Sequence, residues 1–171
     1  MIEVSSYFFQ KQDYILCEDC NEKITGEIDS EYRDIEGLIE LSINGVTLID
    51  KTMGDFIDSL WKKFLWGMAD LLIGKNHVFH FPDQPIEIRL TDYKNSLVEV
   101  RITVEKAQSA VVDKVAFIEA MSAEAVNFFE NMKRLLPKGT DDRDGNYEYW
   151  IQLALAIQKK DIDYIKSQGV E

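Results

Sequence analysis

The sequence predicts an α+β fold: an antiparallel β-sheet with one helix inserted after a β-hairpin and two C-terminal helices. Three observations lead there. An Asn44-Gly45 pair sits between two apolar runs, which is the favoured two-residue hairpin turn. Strict apolar–polar alternation over residues 86–105 marks further half-buried strands. Helical periodicity appears in separate blocks, after the hairpin and again at the C-terminal end. Segregated runs of this kind indicate an antiparallel sheet rather than a parallel α/β one.

At 171 residues the chain fits a single domain, residues 1–171, large enough to bury a core without metal or disulfide staples. The N-terminal third contains three strand-like stretches, "IEVSSYFF", "DYILCE" and "KITGEI", whose pairing is not readable. In "LIELSINGVTLID" the two-residue loop pairs Ile43 with Val46 and Leu41 with Leu48. Ile39, Leu41, Ile43, Val46 and Leu48 then share one face. Thr52 reads as the N-cap of the next helix, with Asp55 in its first turn. Phe56, Ile57, Leu60, Trp61, Phe64, Leu65, Met68, Leu71 and Leu72 follow at helical spacing, and Gly74 is a natural stop.

Strands resume with "NHVFHF", and Pro82 and Pro85 break the chain. Ile86, Ile88 and Leu90 alternate with Glu87 and Arg89. After "TDYKNS", Val98, Val100, Ile102 and Val104 alternate with Glu99, Arg101, Thr103 and Glu105, so the two segments form an antiparallel hairpin. Asp113 caps a long helix whose stripe is Ile118, Met121, Ala125, Phe128, Met132 and Leu135. Pro137 and Gly139 end it. The polar linker "KGTDDRDGN" leads to a last helix from Tyr147, carrying Trp150, Leu153, Ala154 and Ile157. No internal repeat or low-complexity tract is visible.

The motifs that could carry chemistry are few. Cys17 and Cys20 in "CEDC" have redox or metal spacing, but their neighbours Glu18, Asp19 and Glu22 disfavour the thiolate that redox chemistry needs. His77 and His80 would complete a Cys₂His₂ set, yet zinc pairs usually place three to five residues between the histidines. On a strand, positions three apart face opposite ways. "DDRDGN" resembles part of a calcium loop. With Gly145 as sixth residue, however, Thr140 takes the first ligand position and Ile151 the last, so both acids are missing. There is no G-x-S-x-G, phosphate-cradling glycine loop or H-E-x-x-H. The reading is therefore of no catalytic, cofactor or metal residues. A carboxylate-based hydrolase or ligand-binding domain is the alternative.

Charge points to binding. With 31 acids against 19 bases the net charge is −12, which repels nucleic acid and anionic membranes and favours a basic protein partner. Over half of the excess falls in residues 18–40, where nine acids meet only Lys23 and Arg33. Glu27, Asp29, Glu31, Asp34 and Glu36 are the candidate partner-binding acids, and Trp66, set off the apolar stripe beside Lys62 and Lys63, is the candidate aromatic anchor. The start has no basic, apolar leader and no apolar run reaches bilayer length, so the cytoplasm is the expected location.

The order of "EGLIELSINGVTLID", "DFIDSLWKKFLWGMADLLIG", "HFPDQPIEIRL" and "KVAFIEAMSAEAVNFF" resembles small bacterial α+β proteins of the toxin-immunity type over residues 35–135. That resemblance is of organisation and carries over no functional residue. It implies a cytoplasmic antitoxin that binds and blocks a cognate toxin, commonly a nuclease.

Overall fold

A computed structural model describes residues 1–21, 35–93, 96–135 and 147–169. Its strands and helices are of the α+β class, with the strands divided between two antiparallel sheets. The first has the order β2-β1-β3-β4, from β1 (Ile2–Gln10), β2 (Asp13–Leu16), β3 (Glu36–Ile43) and β4 (Val46–Ile49). The two-residue β5 (Asp55–Phe56) also pairs with β3. The second has the order β6-β7-β8-β9, a meander of β6 (His77–His80), β7 (Glu87–Tyr93), β8 (Leu97–Thr103) and β9 (Ala107–Asp113).

The hairpin forms at Asn44 and Gly45, whose φ angles of 52° and 81° are those the tight turn demands. Its register departs from expectation after two pairs. Ile43 meets Val46 and Ser42 meets Thr47, but Leu41 then meets Ile49 instead of Leu48. This bulge inserts one residue and lets the neighbours Leu48 and Ile49 both be buried, which strict alternation would forbid. Val46, expected on the core face, is 40% exposed.

Helix α1 (Ile57–Leu72) starts later than expected. Thr52 does not cap it: its N–H and hydroxyl both donate to Asp50 Oδ1, at 2.8 and 2.6 Å, closing a turn. Asp55 lies in β5, outside the helix. Phe56 occupies the cap position with no side-chain hydrogen bond. The stop at Gly74 holds: its φ is 78°, and the Gly74 and Lys75 N–H groups donate to the carbonyls of Leu71 and Asp70.

The fourth strand of the second sheet, "AQSAVVD", carries little apolar signal in the sequence, because only Ala110 and Val112 of its seven residues face the core. Asp113 does cap α2 (Lys114–Leu135), accepting from the Ala116 N–H at 2.8 Å. All six residues of the predicted stripe are buried. The C-terminal segment forms α3 (Tyr147–Lys159) and a short α4 (Ile162–Ser167) capped by Asp161. "KITGEI" and "DDRDGN" lie outside the described residues.

Helix α1 packs against β3, β6 and β7, and α2 against β1, β8, β9 and α3. The core is rich in aromatic rings: Phe8, Trp61 and Phe128 meet within 6.3 Å, and Phe128 abuts Phe129. Trp61 is fully buried and spends its indole N–H on the buried Ser6 hydroxyl at 3.1 Å.

Candidate functional site

The cysteines come first, because their spacing suggested chemistry. "CEDC" is a turn closed by Asp19 and Cys20 N–H groups donating to the Leu16 carbonyl. Both side chains are buried and neither is in a disulfide. Burial pushes the Cys17 thiol well up, and the Glu124 carboxylate adds to the effect. The turn is fastened from α2: Arg134 Nη2 donates to the carbonyls of Cys17 and Cys20, at 3.3 and 2.8 Å. His77 and His80 have other company. His77 Nδ1 lies 2.6 Å from Asp70 Oδ2, and the exposed His80 lies 3.7 Å from Glu87. Among the described residues no group of three or more His, Cys, Asp or Glu is placed to hold a metal.

Trp66 is half-buried. Its ring stands edge-on to Trp150 of α3 at 6.0 Å, so α3 covers part of the face on which it lies. Of the candidate acids, Glu36 is exposed at the start of β3, opposite Phe56 of β5. Glu27, Asp29, Glu31 and Asp34 lie outside the described residues.

Glu36 opens onto a cavity of about 280 Å³ lined by Phe9, Tyr14, Gly37, Gly54, Asp55, Phe56, Asp83 and Gln84. Four stretches of chain build it. The end of β1 and the start of β2 bring Phe9 and Tyr14 together, ring centroids 5.2 Å apart. The β3–β5 pairing places Glu36 and Gly37 beside Asp55 and Phe56. The loop between Pro82 and Pro85 supplies Asp83 and Gln84. Asp55 pins that loop: its buried carboxylate accepts from the Asp83 N–H at 3.1 Å and the Gln84 N–H at 3.0 Å. The Gln84 side-chain amide donates back to the Gly54 carbonyl. Gly54 leaves room for the Tyr14 hydroxyl, which a Cβ there would displace.

Among the described residues the lining contains three carboxylates and three aromatic rings, and no Lys or Arg. Burial and the nearby Glu36 charge both raise the Tyr14 phenol, so it stays a neutral hydroxyl. Ring faces and carboxylates both attract cations. Asp55 directs its lone pairs at backbone N–H groups, which suits a clamp rather than a proton-transfer base. Glu36 and Asp83 remain exposed for a ligand. Of the lining residues, the sequence singles out Glu36 alone, as a candidate partner-binding acid. Asp55 reads from the sequence as a first-turn helix acid and "FPDQP" as a strand break, whereas Asp55, Asp83 and Gln84 line the cavity. The available signal was Gly54-Asp55 ahead of that proline-bounded loop. The chain matches no family model, and no curated protein and no solved structure matches it.

Proposed function

We propose that this chain is a non-catalytic, acidic protein-binding domain whose aromatic–carboxylate pocket takes a lysine or arginine side chain of a basic protein. In its most specific form it is a cytoplasmic immunity protein that occludes a basic toxin such as a nuclease. The observation that carries the reading is the pocket at Glu36, lined among the described residues by carboxylates and rings without a base, on a chain of net charge −12. The net charge would raise the encounter rate with a cationic surface, and the pocket would fix its register. A desolvated cation against ring faces contributes about 2 kcal/mol, against about 0.5–1 kcal/mol for an exposed one. The test is affinity capture from the native host with the wild type and with Glu36→Lys/Asp83→Lys. The expected result is one basic protein, retained at low salt, released as salt rises, and absent from the variant. Equal recovery by the variant, or no salt-sensitive basic partner, would sink the proposal.

A further inference from the structure

Across one face of the first sheet the strand pairing lines up four side chains of the pocket in a single row. Tyr14 of β2 is opposite Phe9 of β1, and Glu36 of β3 is opposite Phe56 of β5. Strands β1 and β3 are paired as far as Phe8 opposite Gly37, so the next step brings Phe9 level with Glu36. The row reads Tyr14, Phe9, Glu36, Phe56, a carboxylate with a ring on either side, on strands about 4.8 Å apart. Phe8, the preceding residue of β1, points the other way and is buried, while Phe9 is 40% exposed.

The neighbouring row shows what such an arrangement attracts. Tyr7, two residues before Phe9 and so on the same face, donates its hydroxyl to Glu40 at 3.0 Å. Lys51 Nζ lies 5.5 Å from the centre of the Tyr7 ring. There the chain supplies its own cation to a ring and a carboxylate. At Glu36 it supplies none: among the described residues no Lys or Arg lines the pocket, and Glu36 and Asp83 are both exposed.

We infer that this pocket selects arginine over lysine on the partner protein, an inference that rests on the pocket being a cation site. A guanidinium is planar, weakly hydrated and carries its N–H groups along its edges. It can lie flat on the Phe9 or Phe56 ring and still turn two N–H groups to the Glu36 carboxylate beside that ring. Its other N–H groups remain for Asp83, on the loop whose backbone Asp55 already holds, so little of that loop has to be ordered on binding. An ammonium is a compact, strongly hydrated charge. It can sit over a ring or against a carboxylate, but it has no plane to stack and no fork to pair. A carboxylate between two rings therefore rewards the guanidinium twice and the ammonium once.

Proton–nitrogen NMR of the full chain tests this, with end-blocked glycyl-arginyl-glycine and glycyl-lysyl-glycine as the probes. Binding is read at the backbone amides of Glu36, Gly54 and Asp83. The arginine peptide should bind at least about fivefold more tightly, the worth of one stacked cation. Phe9→Leu and Phe56→Leu each keep the acids and remove one ring, and loss of the ring that carries the guanidinium should erase the preference. The same spectra show whether each variant is folded. Should neither be, Glu36→Gln at its exposed position removes the charged fork and should weaken the arginine peptide more than the lysine one. Equal binding of the two peptides, or a preference that survives every folded variant, overturns the selection of arginine and leaves an unselective cation pocket. No response at these amides to either peptide overturns the cation pocket as well. Free L-arginine is the third probe. Its own carboxylate would face the acids of the pocket, so it should bind more weakly than the peptide. Tighter binding would assign the pocket to a free guanidino compound and overturn the protein side chain as its ligand.

Discussion

At the residue scale the buried acids carry the clearest consequences. Asp58 begins α1 almost wholly buried, with one oxygen 3.4 Å from Lys62 Nζ and Oδ1 without a hydrogen bond. Burial raises its carboxyl, outweighing the pull of Lys62 and of nearby backbone N–H groups. A raised folded-state pKa means the folded chain favours the protonated form. This group's contribution is therefore full below the unfolded value near 3.9 and is lost as pH climbs through the raised one. Glu124 is raised by burial too and acts with the same sign. Asp58→Asn should flatten the fall in stability from pH 4 to pH 7 and gain about 1 kcal/mol at pH 7. Urea denaturation at both pH values measures it; an unchanged pH slope would contradict the assignment. Arg134 has the opposite role, because it holds the "CEDC" turn against α2. Arg134→Ala should cost about 1–3 kcal/mol and expose the thiols, read as faster reaction of native protein with a disulfide reagent. No change in that rate would mean the turn is held by something else. The sequence already argued that these cysteines were ordinary thiols, from the acids around them. It could not show Arg134, which reaches across 117 positions of chain to Cys17.

At the element scale, regular alternation and helical spacing were legible because each is a local pattern with one solution. The α2 stripe and the antiparallel β7–β8 hairpin came out as expected. Three features did not, for identifiable reasons. The bulge in β3–β4 answers a need to bury Leu48 and Ile49 together, and that depends on what packs on both sides of the sheet. The α1 cap at Thr52 lost to a local Asp50–Thr52 turn, which also holds the Asp50 carboxyl below its usual range. Strand β9 hides behind small and polar residues. Gly37 shows how tightly these elements meet. A Cβ there would strike the Tyr7 carbonyl of β1 and come within 2.7 Å of Ile57 Cγ2 on α1. Because one obstacle is backbone, Gly37→Ala should destabilise by about 1–3 kcal/mol. A thermal melt tests this, and a loss under about 0.5 kcal/mol, the scale of ordinary surface changes, would show that the strands can part.

At the scale of the whole molecule, the fold class was readable and the division into two sheets was not, since strand pairing is a non-local choice. The pocket was hidden for the same reason: its rings and acids come from four separated stretches that only the finished fold assembles. Among the described residues no helix is long and apolar enough to cross a membrane. The two sheets also differ in how far their strands must travel to meet. In the meander β6–β9 every pairing joins sequence neighbours, whereas β3 must find β1 across the intervening β2 and the acidic segment. Short loops close at lower entropic cost and more quickly. The second sheet, with α1 or α2 laid on it, is therefore expected to organise in the folding transition state, and the β1–β3 ladder to zip up afterwards. Ile88→Val should mainly slow refolding, while Ile39→Val should mainly speed unfolding. Stopped-flow chevrons on the two variants separate these outcomes, and the reverse pattern would place the nucleus in the first sheet. A chain that closes its first sheet last keeps β1 exposed longest, and with it the risk of misdirected pairing between half-folded copies.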